Sequence, residues 1–122
     1  MIEISVTTPT SAYSVHVGRG LLDRAGGEIA ARIRGRTAFI VTDSNVAALY
    51  LHRVEQSLCA AGFTVHSHAV PPGETSKCER ELFVLFERFI DAGITRSDVV
   101  VALGGGVPGD LGGLAAAMWM RG

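Results

Sequence analysis

Apolar and polar positions along the 122-residue chain change period several times. Residues 2–7 and 12–17 mix β-branched with polar side chains, and TPTS lies between them, which predicts a β-hairpin. Over 21–34, Leu21, Leu22, Ala25, Ile29 and Ile33 recur at roughly helical spacing and Gly35 follows, which predicts a helix. A regular alternation then sets in. TAFIVT (37–42) reads as a buried strand. A helix over 46–61 follows, capped by Ser44 or Asn45, with Val46, Leu49, Tyr50, Val54 and Leu58 inward and Gly62 at its end. FTVHSHAV (63–70) reads as a strand and PPGE (71–74) as a turn. The next helix, 75–92, carries Leu82, Leu85, Phe86, Phe89 and Ile90 on one face, and Gly93 ends it. DVVVAL (98–103) is the most apolar strand, and a helix over 108–121 follows it.

Strands that alternate with helices of this length predict βαβ units. The fold class is therefore α/β: Rossmann-like, with a mostly parallel sheet and an N-terminal β-hairpin. The unbroken apolar run at 99–103 suits a central strand covered on both faces. The length suffices for one core. No internal repeat, low-complexity tract or linker interrupts it.

Composition narrows the function classes. Net charge is −1, so nothing calls for nucleic acid or an anionic membrane as partner. Arg32, Arg34 and Arg36 read as a solvated helix end. No stretch approaches the ~20 apolar residues of a membrane span. MIEISVTTPT has no basic and no apolar region of a signal peptide. Cys59 and Cys78 each fall inside a predicted helix and form no CxxC pair, so both are expected as reduced thiols of a cytoplasmic protein.

In parallel α/β sheets, ligands bind beyond the carboxyl ends of the strands. Three segments fall there: TDSN (42–45), PPGETSK (71–77) and GGGVPGD (104–110). They are expected to converge. Gly104, Gly106 and Gly109 have GxGxxG spacing, which lets a ligand approach the backbone and meet the free N–H groups of a helix start. The same spacing also serves a ligand-free strand-to-helix turn. Asp110 is either a cap or an acceptor for a ribose hydroxyl, and Asp43 has the same two readings. Glu74 and Lys77 are either an i,i+3 surface pair or a clamp on ribose hydroxyls. His66 and His68 share one strand face without an evident third metal ligand, so they read as a surface or core pair.

Taken together, these segments resemble 3-dehydroquinate synthase. The resemblance is carried by VTDSNVAALYL (41–51), PPGETSK (71–77), GITRSDVVVALGGGVPGDLGG (93–113) and MRG (120–122), in the family's order and spacing. It implies an N-terminal NAD-binding α/β domain over 1–122, cut short. It places a zinc-binding helical C-terminal domain outside these residues. It also implies that NAD and a divalent metal, Zn or Co, convert the seven-carbon sugar acid phosphate DAHP to 3-dehydroquinate and phosphate in the shikimate pathway. Carried over, Asp43 and Asn45 contact the NAD nucleoside, and Glu74 and Lys77 bind ribose hydroxyls. Gly105, Gly106 and Val107 cradle the pyrophosphate, Asp110 lies close to the cofactor, and Arg121 binds substrate. No catalytic residue or metal ligand falls within the 122 residues, so the chain alone is expected to be an inactive fragment, and the complete protein a homodimer. Pro108 stands where the family has an aliphatic residue and removes one donor from the cradle. Leu114 replaces a common phenylalanine. The alternatives are another sugar phosphate cyclase, such as a 2-deoxy-scyllo-inosose synthase, a relative of glycerol dehydrogenase, or a non-catalytic nucleotide-binding module.

Overall fold

The computed structural model describes residues 1–122. β1 (Ile2–Thr7) and β2 (Ala12–Val17) pair antiparallel, from Ile2 opposite Val17 to Thr7 opposite Ala12. Thr8 and Ser11 close the turn: the Thr8 amide donates to the Ser11 carbonyl at 2.7 Å, and the Ser11 amide donates to Thr8 Oγ1 at 3.0 Å. This is the hairpin the sequence predicts, and it forms a sheet of its own.

β3 (Thr37–Asp43), β4 (Thr64–Val70) and β5 (Val99–Leu103) form a parallel sheet in the order β4–β3–β5. The expected centre was the apolar run at 99–103, but β3 occupies it, with Ala38 to Thr42 all buried. β5 pairs with β3 alone. Among these residues the β5 side chains are only half-buried, with Ala102 exposed, so the apolar run has less cover here than expected. It does not report how many strands lie alongside.

β3 to β4 steps one way, and β4 to β5 crosses back over β3. Right-handed crossovers in opposite directions put their helices on opposite faces. Two cores result. Ala38, Ile40, Val54, Leu58 and Phe63 pack on one face under α1 (Ala25–Ala30) and α3 (His52–Ala60). Phe39, Val41, Val70, Leu82, Leu85, Phe89, Leu111 and Ala115 pack on the other, under α4 (Glu79–Ala92) and α5 (Gly106–Met118). Phe39 meets Phe89 edge-on at 4.8 Å, and Trp119 meets Phe89 edge-on at 5.5 Å. The indole N–H of Trp119 donates to the Ile94 carbonyl at 3.0 Å, so its burial leaves no donor unpaired.

Several helix limits differ from the periodicity. The helix after β3 starts at once, as α2 (Ser44–Val46), runs through a π-helical turn over Ala47–Leu51, and continues as α3. Its cap is Asp43, whose Oδ1 accepts the Val46 amide at 2.9 Å; Ser44 and Asn45 already lie in the helix. The π turn adds one residue and rotates the apolar stripe. Val54 and Leu58 stay buried, whereas Leu49 is 69% and Tyr50 41% exposed.

α1 is shorter than the predicted helix and is preceded by a 3-10 turn at Leu22–Arg24. Gly26 sets its contact with α3: a Cβ there would lie 1.9 Å from the Ser57 carbonyl oxygen. The Gly26 amide donates to Ser57 Oγ at 2.9 Å, and that hydroxyl donates to the Asp23 carbonyl at 2.9 Å. α4 starts later than predicted because Gly73 takes φ 106° and Lys77 sits in an inverse γ conformation, φ −76° and ψ 76°. Cys78 is therefore the residue before α4, not inside it, and Ile90 faces solvent. Both cysteines are free thiols, Cys59 exposed and Cys78 half-buried. α5 starts two residues early and gives way to a 3-10 turn at Trp119–Arg121. No helix is long and apolar enough to cross a membrane.

Candidate functional site

Strand register decides where the loops go. Asp43 lies opposite Val70, and Thr42 opposite Leu103. Segments 42–45, 71–77 and 104–110 therefore leave the same edge of the sheet, as the sequence predicts. β4 and β5 lie on opposite sides of β3, so this edge contains the point where the chain reverses its direction across the sheet.

The glycine turn joins β5 to α5. Gly104 takes φ 142°, and a Cβ there would come within 2.8 Å of Pro108 Cγ, so the buried proline ring occupies the space a side chain would need. Gly105 caps α5 without any side-chain hydrogen bond. The first amides of an α-helix have no intrahelical acceptor. Here those are Gly106 and Val107, because Pro108 has no N–H and the Gly109 amide already donates to the Gly105 carbonyl at 3.2 Å. A Cβ added at Gly105 or Gly106 would meet nothing within 4 Å. The turn thus offers two bare N–H donors, the positive end of a helix dipole and unobstructed backbone, which together suit an anion.

Gly109 does not take the helix-packing role of a third fingerprint glycine. A Cβ there would meet nothing within 4 Å. That role falls to Gly112, where a Cβ would lie 3.3 Å from Val41 Cβ and 3.5 Å from Ala102 Cβ. The signal in the sequence was its place between Leu111 and Ala115, both on the buried stripe of α5.

Segment 71–77 is held by its own backbone. Ser76 is buried and its hydroxyl donates to the Pro71 carbonyl. The Ser76, Lys77 and Cys78 amides donate to Gly73, Glu74 and Ser76 carbonyls at 3.1, 3.0 and 2.9 Å. Lys77 Nζ lies 3.2 Å from Glu74 Oε2, the i,i+3 pair read in the sequence, and 2.6 Å from Asp110 Oδ2. The second contact had no sequence signal beyond the convergence of the loops. Hydrogen bonds to Asp110 first, and to Glu74 second, raise the Lys77 pKa above its usual range, so the ammonium stays charged. Beside this cluster a groove of about 370 Å³ runs between Lys77, Cys78, Glu79 and Leu82 on one side and Asp110, Leu111 and Leu114 on the other. A larger cleft of about 730 Å³ lies between β2 and α1 and includes none of the loop residues.

The remaining candidates are more scattered. Asp43 is half-buried and one of its oxygens is committed to capping α2. Asn45 is exposed in the first turn of that helix. Arg121 is exposed just beyond the C-terminal end of α5, about 20 Å along the axis from the glycine turn at 1.5 Å per residue. His66 and His68 lie half-buried on the strand face that α4 covers. Burial, with Arg88 adding to it, holds the His68 pKa below the usual imidazole range. No group of three or more His, Cys, Asp or Glu side chains lies together for a metal ion.

The family model described as 3-dehydroquinate synthase N-terminal matches residues 67–122. The 3-dehydroquinate synthase of Rhizobium etli is 47% identical over 111 residues, covering 91% of this chain and 29% of the relative. That of Laribacter hongkongensis is 44% identical over 122 residues, covering 100% of this chain and 34% of the relative. The chain thus spans about a third of the length of the curated relatives it matches. A crystal structure of 2-deoxy-scyllo-inosose synthase, complexed with carbaglucose-6-phosphate, NAD+ and Co2+, superposes with a TM-score of 0.86 at 26% identity, over 99% of this chain and 32% of that one. A 2-epi-5-epi-valiolone synthase from Streptomyces hygroscopicus, with NAD+ and Zn2+ bound, gives 0.74 at 28% identity, over 97% of this chain and 32% of that one. The fold is that of the sugar phosphate cyclases, and in sequence the chain is similar to part of the 3-dehydroquinate synthases.

Proposed function

We propose that these residues form the NAD-binding part of a 3-dehydroquinate synthase, which converts DAHP to 3-dehydroquinate with loss of phosphate. The observation that carries the reading is the turn at 104–107. It presents free Gly106 and Val107 amides, with no side chain in front, at the reversal point of the sheet. The residues present fit a dinucleotide there. Gly105, Gly106 and Val107 hold the pyrophosphate, and the amide lost at Pro108 leaves one donor fewer. Glu74 and Lys77 bind ribose hydroxyls with Asp110 alongside, and Asp43 and Asn45 contact the nucleoside. Bound there, NAD would supply a reversible hydride acceptor for a hydroxyl of the sugar acid. The charged Lys77 offsets part of the negative charge of Glu74 and Asp110 beside the pyrophosphate position. Arg121, with its planar fork of donors, binds an anionic group of the substrate at a distance from the cofactor loops.

These residues do not assemble a metal site. The divalent ion, Zn or Co, belongs to ligands outside the 122 residues, and no step within them runs through it. On this reading the chain by itself binds NAD without turnover, and the whole enzyme acts as a cytoplasmic homodimer. The solved cyclase relatives favour a second reading, in which the substrate is a hexose phosphate as for 2-deoxy-scyllo-inosose synthase. The higher identity to 3-dehydroquinate synthases argues for DAHP.

NAD titration of the chain by calorimetry, followed by a phosphate-release assay with DAHP and added Zn or Co, tests the proposal. Saturable NAD binding without phosphate release is expected. Absence of binding overturns the cofactor reading; phosphate release from DAHP by these 122 residues overturns the inactivity.

A further inference from the structure

Segment 71–77 and the start of α5 approach the site from different parts of the chain, and the side-chain contact that joins them is Lys77 to Asp110 at 2.6 Å. Within its own segment Lys77 is held in place. The buried Ser76 fixes the turn from below, and the inverse γ conformation at Lys77 directs the chain into the extended Cys78. Asp110 lies four residues into α5, on rigid helix. The contact therefore bridges two stiff elements, each of which supplies groups to the same ligand position. Its carboxylate is 68% exposed, so without the ammonium it would present an unpaired negative charge beside the anion-binding turn.

We propose that the Lys77–Asp110 pair is a latch that holds segment 71–77 against the α5 N-terminus over the groove, with Asp110 a positioning residue for Lys77. This rests on the NAD reading only for what the latch serves; the latch itself is a property of the ligand-free chain. Closed, it sets the spacing between the Glu74 and Lys77 side chains and the Gly106 and Val107 amides before any ligand arrives. Through the ammonium that Asp110 shares with Glu74, it also offsets part of the Asp110 charge, which otherwise repels a pyrophosphate.

Cys78 provides the test, since it lines the groove that the latch spans and is half-buried, while Cys59 is exposed and far along the chain. Both thiols are labelled with iodoacetamide, and each rate is followed by mass spectrometry without NAD. Lys77→Met and Asp110→Asn should each speed Cys78 labelling about two- to five-fold, as expected for loss of one partly exposed ion pair, and leave Cys59 unchanged. The two substitutions change the local charge in opposite senses. A neighbouring cation favours thiolate and an anion opposes it, so a shared acceleration reports opening rather than a changed thiol. The double variant should be no faster than either single one, because both remove the same contact. Lys77→Arg should restore slow labelling. In the unaltered protein, raising salt to about 1 M, where the screening length falls to about 3 Å, should reproduce the acceleration without any substitution.

Unchanged Cys78 rates in both variants overturn the latch. So does an acceleration by Lys77→Met that Asp110→Asn does not share, since Glu74 would then be the working partner. NAD titration of the same variants reads the second role. Lys77→Met should weaken binding, and adding Asp110→Asn to it should recover part of the loss by removing the exposed anion. A further loss in the double variant overturns the charge-offsetting role. Absence of NAD binding by the unaltered chain overturns the cofactor reading and leaves the labelling result to decide the latch.

Discussion

Two neighbouring glycines in α1 should respond to alanine with opposite signs. Inside a helix, alanine is favoured over glycine by about 0.8–1 kcal/mol. At Gly27 nothing lies within 4 Å of an added Cβ, so Gly27→Ala should stabilise the protein by about that amount. At Gly26 the added Cβ would lie 1.9 Å from the Ser57 oxygen, 2.4 Å from its carbonyl carbon and 2.9 Å from the Leu58 nitrogen. These are backbone atoms of α3 and cannot rotate away, so one helix must move by more than 1 Å to reach ordinary contact. Overpacking of this kind costs about 1–3 kcal/mol and occasionally more. The shift also breaks the hydrogen bond from the Gly26 amide to Ser57 Oγ, worth about 0.5–1.5 kcal/mol. Against the helix gain, Gly26→Ala should come out destabilised by about 0.5–4 kcal/mol. Urea unfolding followed by fluorescence of Trp119, the one tryptophan, measures both variants on one signal. A Gly26→Ala protein as stable as the parent would refute the contact between α1 and α3.

Three further outcomes follow from the geometry. Gly104→Ala places a side chain at φ 142° and against Pro108, so it should distort the turn at a strain of about 1–3 kcal/mol and weaken NAD binding in a calorimetric titration. Asp98 supports stability in a pH-dependent way: partial burial alone would raise its pKa, but hydrogen bonds from the Thr95 amide and hydroxyl and the Thr37 amide outweigh it and hold the pKa below 3.8. A lowered folded pKa gives stability that is complete above the unfolded value and lost as pH falls through the folded one. Asp98→Asn should therefore be less stable than the parent at neutral pH by urea titration, and the gap should narrow below pH 3.8. Phe89→Ala, which removes the ring between Phe39 and Trp119, should cost about 3–5 kcal/mol in the same unfolding assay.

Much of this architecture was legible because two periods alternate along the chain. Once strands and helices alternate, the parallel sheet puts every strand-to-helix loop on one edge, and Asp43, Glu74, Lys77 and Asp110 follow without further information. What periodicity cannot express is a change of phase within an element. The π turn at Ala47–Leu51 is such a change, and it is why Leu49 and Tyr50 face solvent. Nor does apolarity reveal strand neighbours: among these residues β3 has two and β5 has one. Contacts between distant positions were equally hidden. Gly26 against Ser57, Gly112 against Val41 and Lys77 against Asp110 depend on how helices settle on a sheet, and no local pattern encodes that. Asp43 was read with two possible roles, and the structure places one of its oxygens in the cap of α2.

The strand order has a consequence for how the molecule assembles. β3 and β4 are joined through a single helix, whereas β5 must be recruited across a second helix; the amide of Thr37 finds Asp98, its partner ahead of β5, 61 residues away. Closing the longer loop costs more chain entropy, which favours β3–β4 pairing over recruitment of β5 by under about 1 kcal/mol. The glycine turn hangs from β5, so its anion-binding edge depends on β5 being paired with β3. A half-formed chain has no anion-binding edge. A ligand that binds there recognises only the finished fold and adds its binding free energy to that state alone.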